Sequence, residues 1–331
     1  MKQQFEDILL MIRQTQLNTL RLVNTSLIDL YWSIGEYVSL KTANEGWGRS
    51  TVSQLAEYIA TEACDAKGFS DKNIWRMKQF YEAYTDQPKL SALLREVSWT
   101  NNLTIITRTK SNEERYFYLR SCIEERYSTR ELERQISASL YERTMLSDTK
   151  LSPVAKETYP DMVSSLKDSY VFEFLGTQSI DREGDLRKGL VAQMKAFILE
   201  LGKDFIFIAE EYRLQVGNSD FYIDLLFFHR GLQCLVAFEL KNDKFKPEHL
   251  GQLNFYLEAL DRDIKRSNEN PSIGILLCKD KDNEVVEYAL SRSLSPTMIA
   301  EYQVQLPDKK ILQQRLHQLY NQTTTPKQQQ I

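Results

Sequence analysis

Along residues 1–146, apolar positions return every three or four residues, charges fill the gaps, and glycines are few. That spacing predicts an almost wholly helical domain over 1–146. One stretch of it, "GWGRSTVSQLAEYIATEACDAKGFSDKNIWRMKQFYEAY", carries finer punctuation. Ser50 or Thr51 can open a helix, Lys67-Gly68-Phe69 makes a turn, and Ser70 can cap the next helix. This is the outline of a helix-turn-helix. Lys72, Asn73, Arg76 and Lys78 fall early in its second helix, where a recognition helix meets DNA. A protein-docking face, or a scaffold built on Trp75, Phe80 and Tyr81, fits the same pattern. Further on, Ser128 and Glu131 form a capping box that opens a helix expected to end near Arg143.

"SDTKLSPVAKETYP" breaks the period with two prolines and predicts a linker over 147–165. Past it the pattern changes. "REGDLRKGLVAQMKAFILELG" reads as one amphipathic helix stopped by Gly202. "DFIFIAEEYRLQV", "DFYIDLLFFH" and "LQCLVAFELK" are rich in β-branched and aromatic residues and read as strands. A helix over "PEHLGQLNFYLEALDRDI", a buried strand "IGILLC", a helix "NEVVEYALS", a short strand near "AEYQVQL" and a last helix "DKKILQQRLHQLY" follow. The fold expected over 166–320 is α+β / α/β, a mixed β-sheet flanked by helices. The polar tail 321–331 is expected to be disordered.

"YIDLLFFHRGLQCLVAFELK" holds the candidate chemistry. With Arg230-Gly231 as the tight turn of a hairpin, His229 faces Leu232 and Asp224 falls opposite Ala237. Side chains alternate faces along a strand, so Ala237, Glu239 and Lys241 share a face with Asp224. Phe221, Ile223, Leu225, Phe227, Cys234, Val236, Phe238 and Leu240 take the other face. Asp224 and Glu239 then become diagonal neighbours, roughly 7–8 Å apart at the backbone. Two such carboxylates repel unless a cation sits between them. Magnesium binds oxygen at about 2.0–2.1 Å, commonly through one or two carboxylates, with water and phosphate completing its shell; manganese takes the same oxygens. Lys241, on the same face, can orient a water or hold charge on a phosphate. These are the parts of metal-assisted phosphodiester hydrolysis.

Composition narrows the setting without naming the substrate. The chain of 331 residues is 42% hydrophobic and 27% charged, ordinary for a globular protein with ample core. Its net charge is −4 and neither half is basic, so any nucleic-acid surface is a local patch. No apolar run reaches the length of a membrane span, and the amino terminus lacks the unbroken apolar segment of a signal peptide. Cys64, Cys122, Cys234 and Cys278 show no CxxC spacing, which fits a cytoplasmic, reducing environment rather than a zinc or disulfide framework.

The acid on one hairpin strand and E-x-K on the next resemble the PD-(D/E)XK nuclease superfamily. More closely, "FYIDLLFFHRGLQCLVAFELKNDKFKPEHLGQLNFYLEAL" resembles the YhcG-like family of bacterial proteins within it. "YWSIGEYV", "GWGRSTVSQLA", "KGFSDKNIWRMKQFY", "EERYFYL" and "LERQISASLYER" are similar to that family's helical amino-terminal domain. The resemblance implies a restriction-endonuclease-like core in the second half and a magnesium-dependent endodeoxyribonuclease activity, in defence against foreign DNA or in repair. Asp224, Glu239 and the carbonyl of Leu240 would hold the metal, and Lys241 would serve the water and the scissile phosphate. Gln252 and Tyr256 resemble the Q-x-x-x-Y element of some of these nucleases. The first core helix of such domains often adds an acid, here Glu183 or Asp185, with Glu183 preferred. Relatives tend to carry an acid where Arg187 stands, a departure from the pattern. Two other readings stay open: a module that grips nucleic acid without cutting it, and a structural or regulatory subunit. The helical domain could dock a protein partner or a second copy.

Overall fold

The computed structural model describes residues 2–62, 67–160, 166–176 and 182–324, with 2–21 and 322–324 described by backbone alone. The chain divides into two compact units, Met1–Ile136 and Ser137–Ile331.

The first unit is helical: α1 (Lys2–Glu45), α2 (Arg49–Glu62), α3 (Asp71–Tyr84), α4 (Pro88–Leu94), α5 (Trp99–Arg108), α6 (Asn112–Glu125) and α7 (Thr129–Ser137). Its caps follow the sequence. Ser70 Oγ accepts from Asn73 N–H at the start of α3, and Ser128 Oγ from Glu131 N–H at the start of α7. The backbones of α1 and α3 meet at Gly35, where a Cβ would lie 2.2 Å from the Met77 carbonyl oxygen. Arg126 adopts a left-handed conformation as the C-cap of α6, so it does not share a helix with Arg130 and Arg134.

The second unit adds α8 (Leu140–Met145), α9 (Pro153–Thr158), β1 (Ser169–Val171), α10 (Glu183–Ala192), α11 (Met194–Leu201), β2 (Phe205–Val216), β3 (Ser219–His229), β4 (Cys234–Leu240), α12 (His249–Ala259), β5 (Asn270–Cys278), α13 (Asn283–Leu290), β6 (Thr297–Gln303) and α14 (Lys309–Thr324). The six strands form one mixed sheet in the order β1-β6-β5-β4-β3-β2. β2, β3 and β4 are antiparallel, whereas β4, β5, β6 and β1 run parallel. Each face of the sheet carries its own core. Leu186, Leu190 and Phe197 of α10 and α11 pack with Leu225, Phe227, Phe238 and Ile275. On the other side Leu250, Leu253 and Leu257 of α12 pack with Leu226, Ala237, Leu276 and Ile299. This is the mixed sheet flanked by helices that the patterning predicts.

Several segments differ from expectation. The helix expected to run to Arg143 breaks at Ser139, a non-glycine residue at φ 53°, and α8 belongs to the second unit. There the buried Arg143 guanidinium meets Glu200 and the carbonyl oxygens of Ala138 and Ser169. Part of the expected linker is also built into this unit: Ser152 is buried, donates to Ser295 O and accepts from the Ala155 and Thr297 amides. The helix read over 183–201 is interrupted at Gln193, whose φ −110° and ψ 33° leave the helical region. α14 runs on to Thr324, so the first residues of the expected tail are helical, while 325–331 lie outside the described residues. Cys122, Cys234 and Cys278 are buried free thiols, and Cys64 lies outside the described residues. No helix among the described residues is long and apolar enough to cross a membrane.

Gly274 sets the depth at which α12 lies on the sheet. A Cβ there would approach Leu253 Cγ to 2.8 Å and Leu257 Cδ1 to 3.0 Å, in a packed core. Gly274→Ala is therefore expected to cost about 1–3 kcal/mol, read as a lower urea midpoint at unchanged slope.

Candidate active site

The site forms where β3, β4, α10 and α12 converge. The ladder pairs His229 with Cys234, Phe227 with Val236 and Leu225 with Phe238, around a four-residue connection, 230–233. Gln233 takes the left-handed conformation in that loop, at φ 51°. The loop is held by bonds from Leu232 N–H to His229 Nδ1 and from Asn270 Nδ2 to Leu232 O. The expected two-residue turn at Arg230-Gly231 is thus corrected to a longer loop, and the register moves by two. Continued beyond the ladder, it sets Asp224 opposite Glu239 rather than Ala237. The ladder itself ends at Leu225, because Leu240 N–H is drawn to the side chain of Asp224.

The face alternation also breaks at Asp224. Leu225 packs on the α10 side of the sheet, but Ile223 and Phe221, expected on that face, pack on the α12 side. On the neighbouring strand Glu211 has φ 45°, and the β2–β3 register brings it opposite Asp224. A residue in this conformation turns the pleat locally, which opens the sheet to side chains from α10.

Each oxygen of Asp224 has one donor and a lone pair to spare. Its Oδ2 accepts from Leu240 N–H at 2.9 Å, and its Oδ1 from Arg187 Nη1 at 3.0 Å. Arg187 also donates through Nη2 to Glu211 Oε1 at 2.7 Å. Glu239 is different. It is 2% exposed; Oε1 accepts from Lys241 Nζ at 2.9 Å, while the buried Oε2 has no hydrogen-bond donor. Burial, and next the charge of Asp224, push the Glu239 carboxyl up to about 7, against the pull of Lys241. Lys241 reaches Glu183 Oε2 at 3.2 Å as well. Burial works against its charge, but Glu239 and Glu183 outweigh that and hold its pKa above the usual lysine value.

α10 delivers its two contributors by helical spacing. Leu186 and Leu190 anchor the helix in the core, and Glu183 and Arg187, four residues apart, share the adjacent face. Asp185 is exposed on the same helix. α12 places Tyr256 in the core on the sheet's other side, with Gln252 Nε2 donating to its hydroxyl at 2.6 Å. Burial raises the Tyr256 pKa, the Gln252 bond opposes that, and the charges of Glu239 and Asp224 add to the rise.

The structure therefore brings Asp224, Glu239, Lys241 and Glu183 into one cluster, with Tyr256 within electrostatic reach. The contact Leu240 makes here is through its amide; its side chain is in the core. Among the described residues no group of three or more His, Cys, Asp or Glu side chains closes around a metal position. A pair of carboxylates, one with a buried oxygen lacking any donor, nevertheless suits an ion whose remaining positions go to water and phosphate. Sequence reading missed Glu211 and the contact role of Arg187. The Gly217-Asn218 turn of the β2–β3 hairpin is the signal that could have placed Glu211 across from Asp224.

In the first unit, the four residues expected to meet nucleic acid are not equivalent. Lys72 and Arg76 are exposed. Asn73 is used internally, accepting from Trp99 Nε1 and donating to Gly68 O. Lys78 pairs with Glu82 at 2.6 Å and lies over the Trp75 ring.

Residues 163–317 match the family model of the YhcG PDDEXK nuclease domain, and residues 7–143 that of the DUF1016 N-terminal domain. The Escherichia coli K12 protein named "Putative nuclease YhcG" is 30% identical over 351 aligned positions, which cover 95% of this chain and 93% of that one. Among solved structures, a repair endonuclease from Pyrococcus abyssi aligns over 40% of this chain and 50% of its own, at 16% identity and TM-score 0.27. EndoMS in its apo form aligns over 40% and 49%, at 15% identity and TM-score 0.25.

Proposed function

Because the chain belongs to the YhcG-like family, whose carboxy-terminal part is a PDDEXK nuclease domain, we propose that it is a metal-dependent endonuclease acting on DNA, with Asp224 and Glu239 holding magnesium or manganese. The observation that carries this reading is the buried Glu239 Oε2, which lacks a donor while an ammonium sits 2.9 Å from its partner oxygen. A carboxylate left half-satisfied in a dry site is stabilised by a cation. The bound ion would polarise a phosphoryl oxygen and lower the pKa of water.

The chain's own residues do the rest. Lys241, fixed between Glu239 and Glu183, keeps its proton and stays aimed at the cluster, where it orients the attacking water and holds charge on the phosphate. Glu183 acts by positioning Lys241. Leu240 N–H fixes the Asp224 carboxylate, and the adjacent Leu240 carbonyl is a third candidate oxygen for the ion. Exposed Gln252, anchored on the Tyr256 hydroxyl, offers hydrogen bonds to the backbone of the nucleic acid, and the buried Tyr256 acts by positioning it. Exposed Lys72 and Arg76 in the helical unit are the proposed DNA contacts there, and the exposed Leu30, Tyr37 and Leu40 of α1 the proposed surface for a protein partner or second copy. Three buried reduced thiols fit a cytoplasmic setting.

The test is incubation of supercoiled plasmid with Mg2+ or Mn2+, beside Asp224→Ala and Lys241→Ala variants shown to be folded. Nicking or linearisation that needs the metal and disappears in both variants is the expected result. Equal activity in all three would sink the assignment. Salt-sensitive DNA binding without cleavage would favour a non-cleaving module instead, a reading to which the Arg187–Asp224 bond lends weight.

A further inference from the structure

Asp224 and Glu239 lie opposite one another just beyond the end of the β3–β4 ladder, yet are satisfied in opposite ways. One oxygen of Glu239 is buried without a donor, whereas Asp224 already holds a cation, the Arg187 guanidinium. The Arg187 and Asp224 side chains keep only 16% and 15% exposure, so water screens this pair far less than a surface ion pair. The planar fork of an arginine can grip two acids at once. It does so, bridging Asp224 and Glu211.

Glu211 gives this bridge its second end. It holds a left-handed backbone, φ 45°, in mid-strand, a conformation that is strained for a non-glycine residue. That backbone aims its carboxylate, 58% exposed, at Arg187 Nη2, 2.7 Å away. The charges also add up to a limit. Four carboxylates (Glu183, Glu211, Asp224 and Glu239) meet two fixed cations, Lys241 and Arg187, leaving two negative charges. In the substrate-free site one divalent ion balances them, and a second would leave two uncompensated positive charges.

We propose that Arg187, steadied by Glu211, is a built-in cation standing in the place of a second metal ion, so that the site takes one divalent ion per chain. Glu211 is then a positioning residue for Arg187. The inference rests on the metal-dependent reading of the site and goes beyond it, because it sets the stoichiometry and assigns both residues.

The test reads metal binding directly, through the electron paramagnetic resonance signal of free Mn2+ during titration of the full-length chain at pH 8. The native chain is expected to bind one ion. Arg187→Glu, which exchanges the cation for a ligand, is expected to bind two. Arg187→Gln, polar but neutral, keeps one ion but lowers its Kd by about tenfold, since a repelling charge beside the ion is gone. Two ions on the native chain, or both variants titrating like native, would overturn the proposal while leaving a metal site in place. Glu239→Gln serves as the control that should abolish binding. No binding by the native chain would overturn the metal reading itself, and this inference with it.

Discussion

Glu239→Gln is expected to reduce metal-dependent cleavage by about a thousandfold or more while the chain remains folded. Loss of a single well-placed charge-stabilising group costs on the order of 10²–10³ in turnover, and this substitution also removes one of only two carboxylates proposed to hold the ion. The fold should tolerate the change. Glutamine has the same length, β4 is buried on both sides of the substitution, and Oε2, the atom with no donor, leaves no hydrogen bond behind when it is replaced. Single-turnover cleavage of a labelled duplex at pH 8, beside the thermal midpoint of the same sample, checks both halves. Cleavage within tenfold of native at saturating Mn2+ would remove Glu239 from the metal site. Unfolding of the variant would instead make the Lys241–Glu239 pair a structural one.

Metal affinity is expected to fall about tenfold for each pH unit below about 7, and to level off above it. The Glu239 carboxyl, pushed up to about 7 by burial and by Asp224, must lose its proton to take up the ion, so proton and metal compete for it. Calorimetric titration of Mn2+ in buffers of different ionisation enthalpy should show close to one proton released per ion at pH 6 and nearly none at pH 8. A flat affinity from pH 6 to 8 would contradict the linkage.

The same shift carries a stability consequence of opposite sign. A carboxyl whose folded pKa is raised from 4.5 to about 7 contributes stability that is complete below the unfolded value and is lost as pH rises through the folded one. The metal-free chain should therefore lose up to about 3 kcal/mol from this group between the ordinary carboxylate range and pH 8. Bound Mn2+ should restore part of that, and Glu239→Gln should lack the pH-dependent component. Thermal midpoints at pH 5 and 8, with and without metal, separate these cases.

Much of this was legible in the residues. The change from helical spacing to strand-like apolar runs from Phe205 onward divides the chain by class of structure, and the apolar positions of β3 and β4 point to a sheet with a packed core. The spacing of Asp224, Glu239 and Lys241 marks the site, because three charges in two buried strands require partners. Glu183 could be named but not chosen over Asp185 by spacing. The choice depends on which face of α10 the core-packed Leu186 and Leu190 turn toward Lys241.

Sequence alone determined the class of each domain and the caps at Ser70 and Ser128, and it marked Asp224, Glu239 and Lys241 as candidates on one sheet face, since these depend on local periodicity and local hydrogen bonding. Only the tertiary structure decided that Asp224 stands across from Glu239, that residues 140–145 join the second unit, and that Arg187 and Glu211 enter the site. A hairpin register shifted by two leaves every side chain on the same face, so hydrophobic alternation cannot detect it; a long-range charge contact such as Arg187–Asp224 leaves no period in the chain at all.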